Sequence, residues 1–398
     1  MSWQTQKLET VADFCLGKML DQNKNRGEPL PYLANINVRW GEFDLSDLRK
    51  MRFEQHELER YGLKYGDIVM CEGGEPGRCA LWKEQYSSMM VQKALHRIRP
   101  HDCLWPEFLY YFFLFKGRTG HLASLFTGST IKHLPREKLA LIEVPVPPQS
   151  TQIQIASVLS AYDDLIENNR RRIQLLEQAA RLLYKEWFVH LRFPGHEHTK
   201  VVDGVPEGWE KKTAFEVMDV LSGGTPKTTN LSYWDGDIPF FTPKDVTNFA
   251  YVYDTEKTIT DAGLKNCNSN LYPKDTVFIT ARGTVGKINL AQRAMAINQS
   301  CYAIVSHPPV SQQFLYFALV DGVEQFRSRA VGSVFDAIVR DTFKLIPFIV
   351  PDEKLITTFM EHLSPMLAQI DNLSGQVRRL QKARDLLLPK LMNGEVAV

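Results

Sequence analysis

Two glycine turns hold the residues best placed for chemistry. GEPGR spans residues 74–78 and GTVGK residues 283–287, the second preceded by Arg282. A cation directly after a glycine turn can meet a phosphate, so Arg78 and Lys287 are candidates for that contact. RGTVGK (282–287) is not a nucleotide-binding loop of the usual kind. Two residues separate its glycines where four are needed, and Ile288 follows Lys287 in place of a Ser or Thr. His196 and His198 have no further metal ligands in sequence and read as linker histidines. Glu210, Lys211 and Lys212 resemble the tail of a nuclease motif, but no aspartate-bearing strand precedes them suitably. The chain also lacks a nucleophile elbow, an H-E-x-x-H zinc motif, a dinucleotide fingerprint and the Pro-Pro-aromatic tetrapeptide of amino-methylation. The expectation is a chain that catalyses nothing by itself.

What remains is a set of loops rich in Asn, Gln, Thr, Lys, Arg and His. Such side chains read base edges and hold phosphates. Lys132 and His133, after the GST loop, join Arg78 and Lys287 as candidate phosphate contacts, and Arg282 is a further candidate DNA contact. Asn35, Asn37 and Gln92 are candidate base readers in the first half of the chain, and Thr242, Lys244 and Gln299 in the second. Polar residues that change on a constant loop frame suit two domains reading different sequences. Structural loops vary in the same way, so both readings stay open at this level.

The elements that position these loops occur twice. Trp3, Val11 and Gly17 are matched by Trp209, Val217 and Gly223. PYLANINV (31–38) matches PFFTPKDV (239–246), placing Asn35 and Asn37 on Pro243 and Asp245, and Ala34 and Ile36 on Thr242 and Lys244. Gly74 and Gly77 match Gly283 and Gly286, FLYYF (108–112) matches FLYFA (314–318), and TGST (127–130) matches VGSV (331–334). Within each copy, a strand entering a loop is expected near residue 30, then strand, glycine turn and strand at 66–82, and a buried helix at 105–115. The copies lie about 205 residues apart, far beyond the roughly 20 to 50 of solenoid repeats.

Each copy is followed by a long helical stretch. Leu159, Tyr162, Ile166, Asn169, Ile173, Leu176, Ala180, Leu183 and Trp187 recur at alternating steps of three and four, which is a heptad seam. Leu363, Met366, Ile370, Leu373, Val377, Leu380, Arg384, Leu387 and Leu391 repeat it near the C-terminus. The two seams can bury their stripes against each other. Asn169 is a candidate for fixing register, and Arg384 for pairing with Glu186 or another acid. Ser364 before Pro365 resembles a helix start, so a break near Glu361 is expected, with the long helix then running to about Met392. The fold class is therefore α+β: two similar α/β domains joined by two long helices. The expected boundaries are 1–148 for the first domain, 149–190 for the central helix, 191–350 for a linker and second domain, and 351–398 for the C-terminal helix.

At 398 residues with 44% hydrophobic and 23% charged content, the chain has ordinary globular composition. A formal net charge of +1 means that any nucleic-acid contact must use local patches or partners that supply the positive field. Six cysteines without a C-x-x-C pair read as reduced thiols of a cytoplasmic protein. The N-terminus does not resemble a signal peptide, and no stretch reaches the roughly 18 apolar residues needed to cross a bilayer.

On YKEWFVHLRFPGHE (184–197), PEGW (206–209), the two glycine turns, VPVPP (144–148), IVPD (349–352) and LLLPKLMNGEV (386–396), the chain resembles the specificity subunit of type I restriction–modification enzymes. The resemblance spans essentially the whole length. It implies two target-recognition domains, each reading one half of a split double-stranded DNA site, on an antiparallel coiled coil with an internal pseudo-two-fold repeat. It also implies two methyltransferase subunits and, in the full nuclease, restriction (motor–nuclease) subunits as partners. S-adenosylmethionine, ATP and Mg would then be cofactors of those partners, with none in this chain. The seam from Leu159 to Trp187 amounts to roughly 42 Å of helix, against about 34–36 Å for one turn of B-DNA. Two half-sites separated by several unread base pairs are therefore expected. Two alternatives of other classes are a self-contained DNA-modifying or DNA-cleaving enzyme, and a coiled-coil interaction scaffold without DNA.

Overall fold

The computed structural model describes residues 3–21, 25–329, 338, 340–345, 348–396 and 398. The chain divides into two compact units, Met1–Glu167 with Arg378–Val398, and Asn168–Val377. Each holds one of the repeated domains and part of both long helices.

In the first unit, strands Ala12–Leu16, Leu95–Pro100, Ile68–Cys71 and Cys79–Leu81 form an antiparallel sheet in that order. A second sheet runs Arg49–Phe53, Glu28–Leu33, Met90–Val91, and Thr5–Lys7 pairs with Glu143–Pro145. Strand Arg49–Phe53 lies in a stretch whose charges hide it. Its alternate residues Met51 and Phe53 are buried while Lys50 and Arg52 face water, as a half-buried strand requires. Helix Pro106–Arg118 starts on a proline, which fits the first helical turn, and buries every residue from Phe108 to Phe115. It shares one core with Leu8, Ile68 and Ile98.

The second unit repeats this arrangement. Strands Met218–Ser222, Cys301–Ser306, Val277–Thr280, Ile288–Ala291 and Tyr251–Val252 form its larger sheet. Lys257–Ile259, Trp234–Phe241 and Ala296–Ile297 form the smaller one, and Glu210–Lys212 pairs with Phe348–Val350. The duplication extends to hydrogen-bond register. Ala12 faces Pro100 and Leu16 faces His96, while Met218 faces Ser306 and Ser222 faces Tyr302. Strand Tyr251–Val252, parallel to Ile288–Ala291, is an addition of the second copy.

The central helix Gln149–Tyr184 continues into a π-turn, Lys185–Val189, and the C-terminal helix spans Glu353–Met392. All the seam positions read from sequence are buried or half-buried. In the first unit Ile155 and Leu159 join a core with Leu388, Leu391 and Met392, and Arg384 pairs with Asp163. In the second unit Asn169 Nδ2 donates to Gln376 Oε1 at 3.3 Å, and Tyr184 and Trp187 lie 6.1 and 5.7 Å from the Phe359 ring. Partner numbers fall as residue numbers rise, so within each unit the helices run antiparallel.

One sequence expectation is corrected. Helix Glu353–Met392 runs unbroken through Pro365. An interior proline costs about 3 kcal/mol, but Phe359, Leu363, Leu367 and Ile370 form one continuous buried face across it. Each such side chain contributes roughly 1.5–3 kcal/mol, enough to override a local start signal. Of the partners expected for Arg384, Glu186 or another acid, the second is found. Its acids are Asp163 and Asp385, whereas Glu186 pairs with Arg192 at 3.3 Å.

Candidate nucleic-acid interface

In the first domain the glycine turn is closed by backbone bonds from Cys71 N–H to Arg78 O at 2.7 Å and from Gly77 N–H to Cys71 O at 3.0 Å. Gly74 and Gly77 take φ of +76° and +86°, a region that favours glycine. A Cβ on Gly74 would also stand 2.6 Å from Asn35 Nδ2, so the turn and the tip loop Ala34–Asn37 are pressed together there.

Asn35 and Arg78 meet at that contact. Asn35 Nδ2 donates to Gly73 O at 2.6 Å, and its Oδ1 accepts from Arg78 Nη2 at 3.0 Å and from the Cys71 thiol at 2.9 Å. Burial pushes that thiol's pKa up, so it stays a neutral donor. Arg78 also reaches Asn35 O and Glu75, and Glu75 accepts from Trp40 Nε1 at 2.6 Å. Arg78 is therefore half-buried and turned inward. His133 exchanges backbone bonds with Thr127 at 2.8 Å and forms a bridge with Gly73, so it joins the same cluster. Ser129, Thr130, Ile131 and Lys132 are exposed beside it.

Asn37 is buried and its amide is spent inside the loop. Oδ1 accepts from Ala34 N–H at 2.9 Å, and Nδ2 donates to Asp44 O and Asp47 O. Gln92 lies elsewhere, at the end of strand Met90–Val91, bonded through its backbone to Leu33 and bridged to Lys18.

The second domain builds the same turn. Thr280 N–H donates to Lys287 O at 3.0 Å and Gly286 N–H to Thr280 O at 2.8 Å, with Gly283 and Gly286 at φ +79° and +72°. The tip loop also repeats. Thr242 N–H donates to Asp245 Oδ2 at 2.8 Å, the counterpart of the Ala34–Asn37 bond. Thr242 Oγ1 is spent on the same carboxylate at 2.7 Å. The Lys244 side chain is 78% exposed and 3.6 Å from Glu256, while Arg282 stands exposed on the turn. Lys287 is exposed and lines a groove with Arg181, Phe249 and Tyr316. Gln299 is exposed and accepts from Thr225 Oγ1. It stands one residue beyond the register counterpart of Gln92, which is Asn298: Gly17 packs on Gln92 and Gly223 on Asn298. The GST-loop match at 331–334 lies outside the described residues.

Asn35, Arg78, Lys132 and His133 thus share one site, and Thr242, Lys244 and Arg282 share its repeat, whereas Gln92, Gln299 and Lys287 lie off these clusters. Sequence reasoning missed the bracing pair Trp40–Glu75 and the frame role of Asn37 and Asp245. The second carried a legible signal: a side-chain acceptor three residues after the loop entrance, at the same place in both repeats. Among the described residues, no three His, Cys, Asp or Glu side chains gather to hold a metal ion, and no helix is long and apolar enough to cross a membrane.

The family model for the type I restriction modification DNA specificity domain matches this chain twice, at residues 2–178 and 206–374. The MjaIX specificity subunit of a type I restriction enzyme from Methanocaldococcus jannaschii is 26% identical, covering 100% of this chain and 94% of that one. The HindI specificity subunit from Haemophilus influenzae is 23% identical over 84% of this chain and 87% of its own length. The crystal structure of the S subunit of a type I restriction–modification system from M. genitalium shares the fold with a TM-score of 0.57 at 17% identity, covering 98% of this chain and 96% of that one. The two family matches span most of the sequence and coincide with the two repeated domains: the chain belongs to the type I restriction modification DNA specificity family.

Proposed function

We propose that this chain is the non-catalytic recognition subunit of a type I restriction–modification assembly, with each repeated domain reading one half of a bipartite duplex site. The observation that carries this reading is the repeated frame: one glycine turn and one tip loop, bonded alike in both domains, presenting different exposed side chains. A frame kept constant while its outer residues change is what two readers of different half-sites require. Lys132 and Arg282 are assigned to phosphates, and Arg78 and Asn35 to holding the turn against the tip loop. The partners of this reading are two methyltransferase subunits seated on the helices, and restriction subunits in the full nuclease. S-adenosylmethionine, ATP and Mg belong to those partners, and the place of action is the cytoplasm. The paired helices are assigned the role of setting the number of unread base pairs.

The test is duplex binding by the chain assembled with its methyltransferase subunit, measured over a range of salt. Lys132→Ala and Arg282→Ala should each weaken binding on every sequence and lower the salt slope by about one. Unchanged slopes would remove both residues from the phosphate contact. Salt-insensitive association with DNA would overturn the recognition role itself.

A further inference from the structure

The two tip loops are the same device with one free variable. Ala34 N–H donates to Asn37 Oδ1 at 2.9 Å while Asn37 N–H returns a bond to Ala34 O at 2.9 Å. Thr242 N–H donates to Asp245 Oδ2 at 2.8 Å while Asp245 N–H returns one to Thr242 O at 3.0 Å. Four residues are locked in each case. The first and last form the lock, and the second faces inward: Asn35 is spent on Gly73, Cys71 and Arg78, and Pro243 takes its place beside Gly283. Only the third leaves the loop. Ile36 is 55% exposed and the Lys244 side chain 78%.

We propose that this crest position selects one base pair in each half-site: Ile36 by packing on a thymine methyl, Lys244 by donating to N7 of a guanine. The proposal rests on the DNA-reading role above and goes further by naming the base chemistry. A single exposed isoleucine is ordinary on a protein surface. Here it is the one side chain that the locked frame releases, and the neighbouring Asn35 is bonded to Gly73, which bridges to His133 at the end of the exposed run Ser129, Thr130, Ile131 and Lys132. The thymine methyl is the apolar group that the major groove presents, and lysine is suited to the guanine acceptors. The frame holds both crests in place before binding, so little backbone ordering remains to oppose the contact. Lys244 is oriented by Glu256, whose own N–H is bonded to Asp245 at 2.6 Å. That ion pair is exposed on both sides, so it competes weakly with a base.

The test uses the complex with its methyltransferase subunit and a duplex carrying its own modification motif. Replacing each thymine of the first half-site in turn by deoxyuridine removes only a methyl group. At one position the wild-type complex should lose about fourfold in affinity, and Ile36→Ala should lose nothing further there. Replacing guanines of the second half-site by 7-deazaguanine should cost about tenfold at one position, with Lys244→Met insensitive to the change. The base series on the wild-type complex needs no altered protein, so it stands if a variant fails to assemble. Indifference of the wild-type complex to every substituted base would overturn the proposal, as would equal losses in wild type and variant. If the unmodified motif binds no better than a scrambled duplex, the DNA-reading role fails instead.

Discussion

Two side chains on the long helices show how burial sets the behaviour of charged groups here. Arg384 occupies a seam position and is 9% exposed. Burial opposes its charge, but Asp163 and Asp385 outweigh that cost and raise its pKa. The pair extends to Tyr111, whose hydroxyl donates to Asp163 at 2.8 Å, and to Arg118, 2.5 Å from Asp385. Replacing Arg384 by alanine strands Asp163 against the helix Pro106–Arg118, so a loss of about 3 kcal/mol is expected in urea unfolding. An unchanged midpoint would show the network to be idle. Glu177 behaves in the opposite sense. Burial raises its pKa to about 7 against the pull of the Ala250 amide, at 2.5 Å, and of Arg181. The folded state therefore binds this proton more tightly than the unfolded chain. The associated stability is full below the ordinary carboxylate range and is lost as pH rises towards 7 and just beyond. The wild-type melting temperature should drop more between pH 5 and 8 than that of Glu177→Gln; equal drops would refute the assignment.

At the level of elements, Pro365 sits on the exposed side of the C-terminal helix and has no N–H to donate to the carbonyl four residues before it. Pro365→Ala should raise stability by about 2 kcal/mol, and a lower unfolding midpoint would mean that the proline relieves strain elsewhere. This residue also marks the limit of what the sequence discloses. Ser364-Pro365 is a sound local start signal, and only the buried face from Phe359 to Ile370 overrides it. The duplication, the glycine turns, the buried helix and both seams were legible because each depends on spacing within a short stretch. Strand Arg49–Phe53 was not, since its charges mask a two-residue alternation. The roles of the loop residues were less legible still. Whether Asn35 offers its amide to a base depends on Gly73, 38 residues away, and no pattern in residues 31–38 encodes that bond.

For the whole molecule, each of two compact units holds one copy of the frame, and the chain belongs to a family of DNA specificity subunits. On the proposed reading, two copies with different crests, Ile36 and Lys244, serve two different half-sites on one chain. The most direct measurement is base-resolution methylome sequencing of cells carrying this gene with its methyltransferase partner, compared with cells lacking only this gene. One split motif, two short unlike half-sites around a fixed unread spacer, should lose its methylation when the gene is absent. An unchanged methylome, or the loss of a single uninterrupted motif, would contradict the proposed reading.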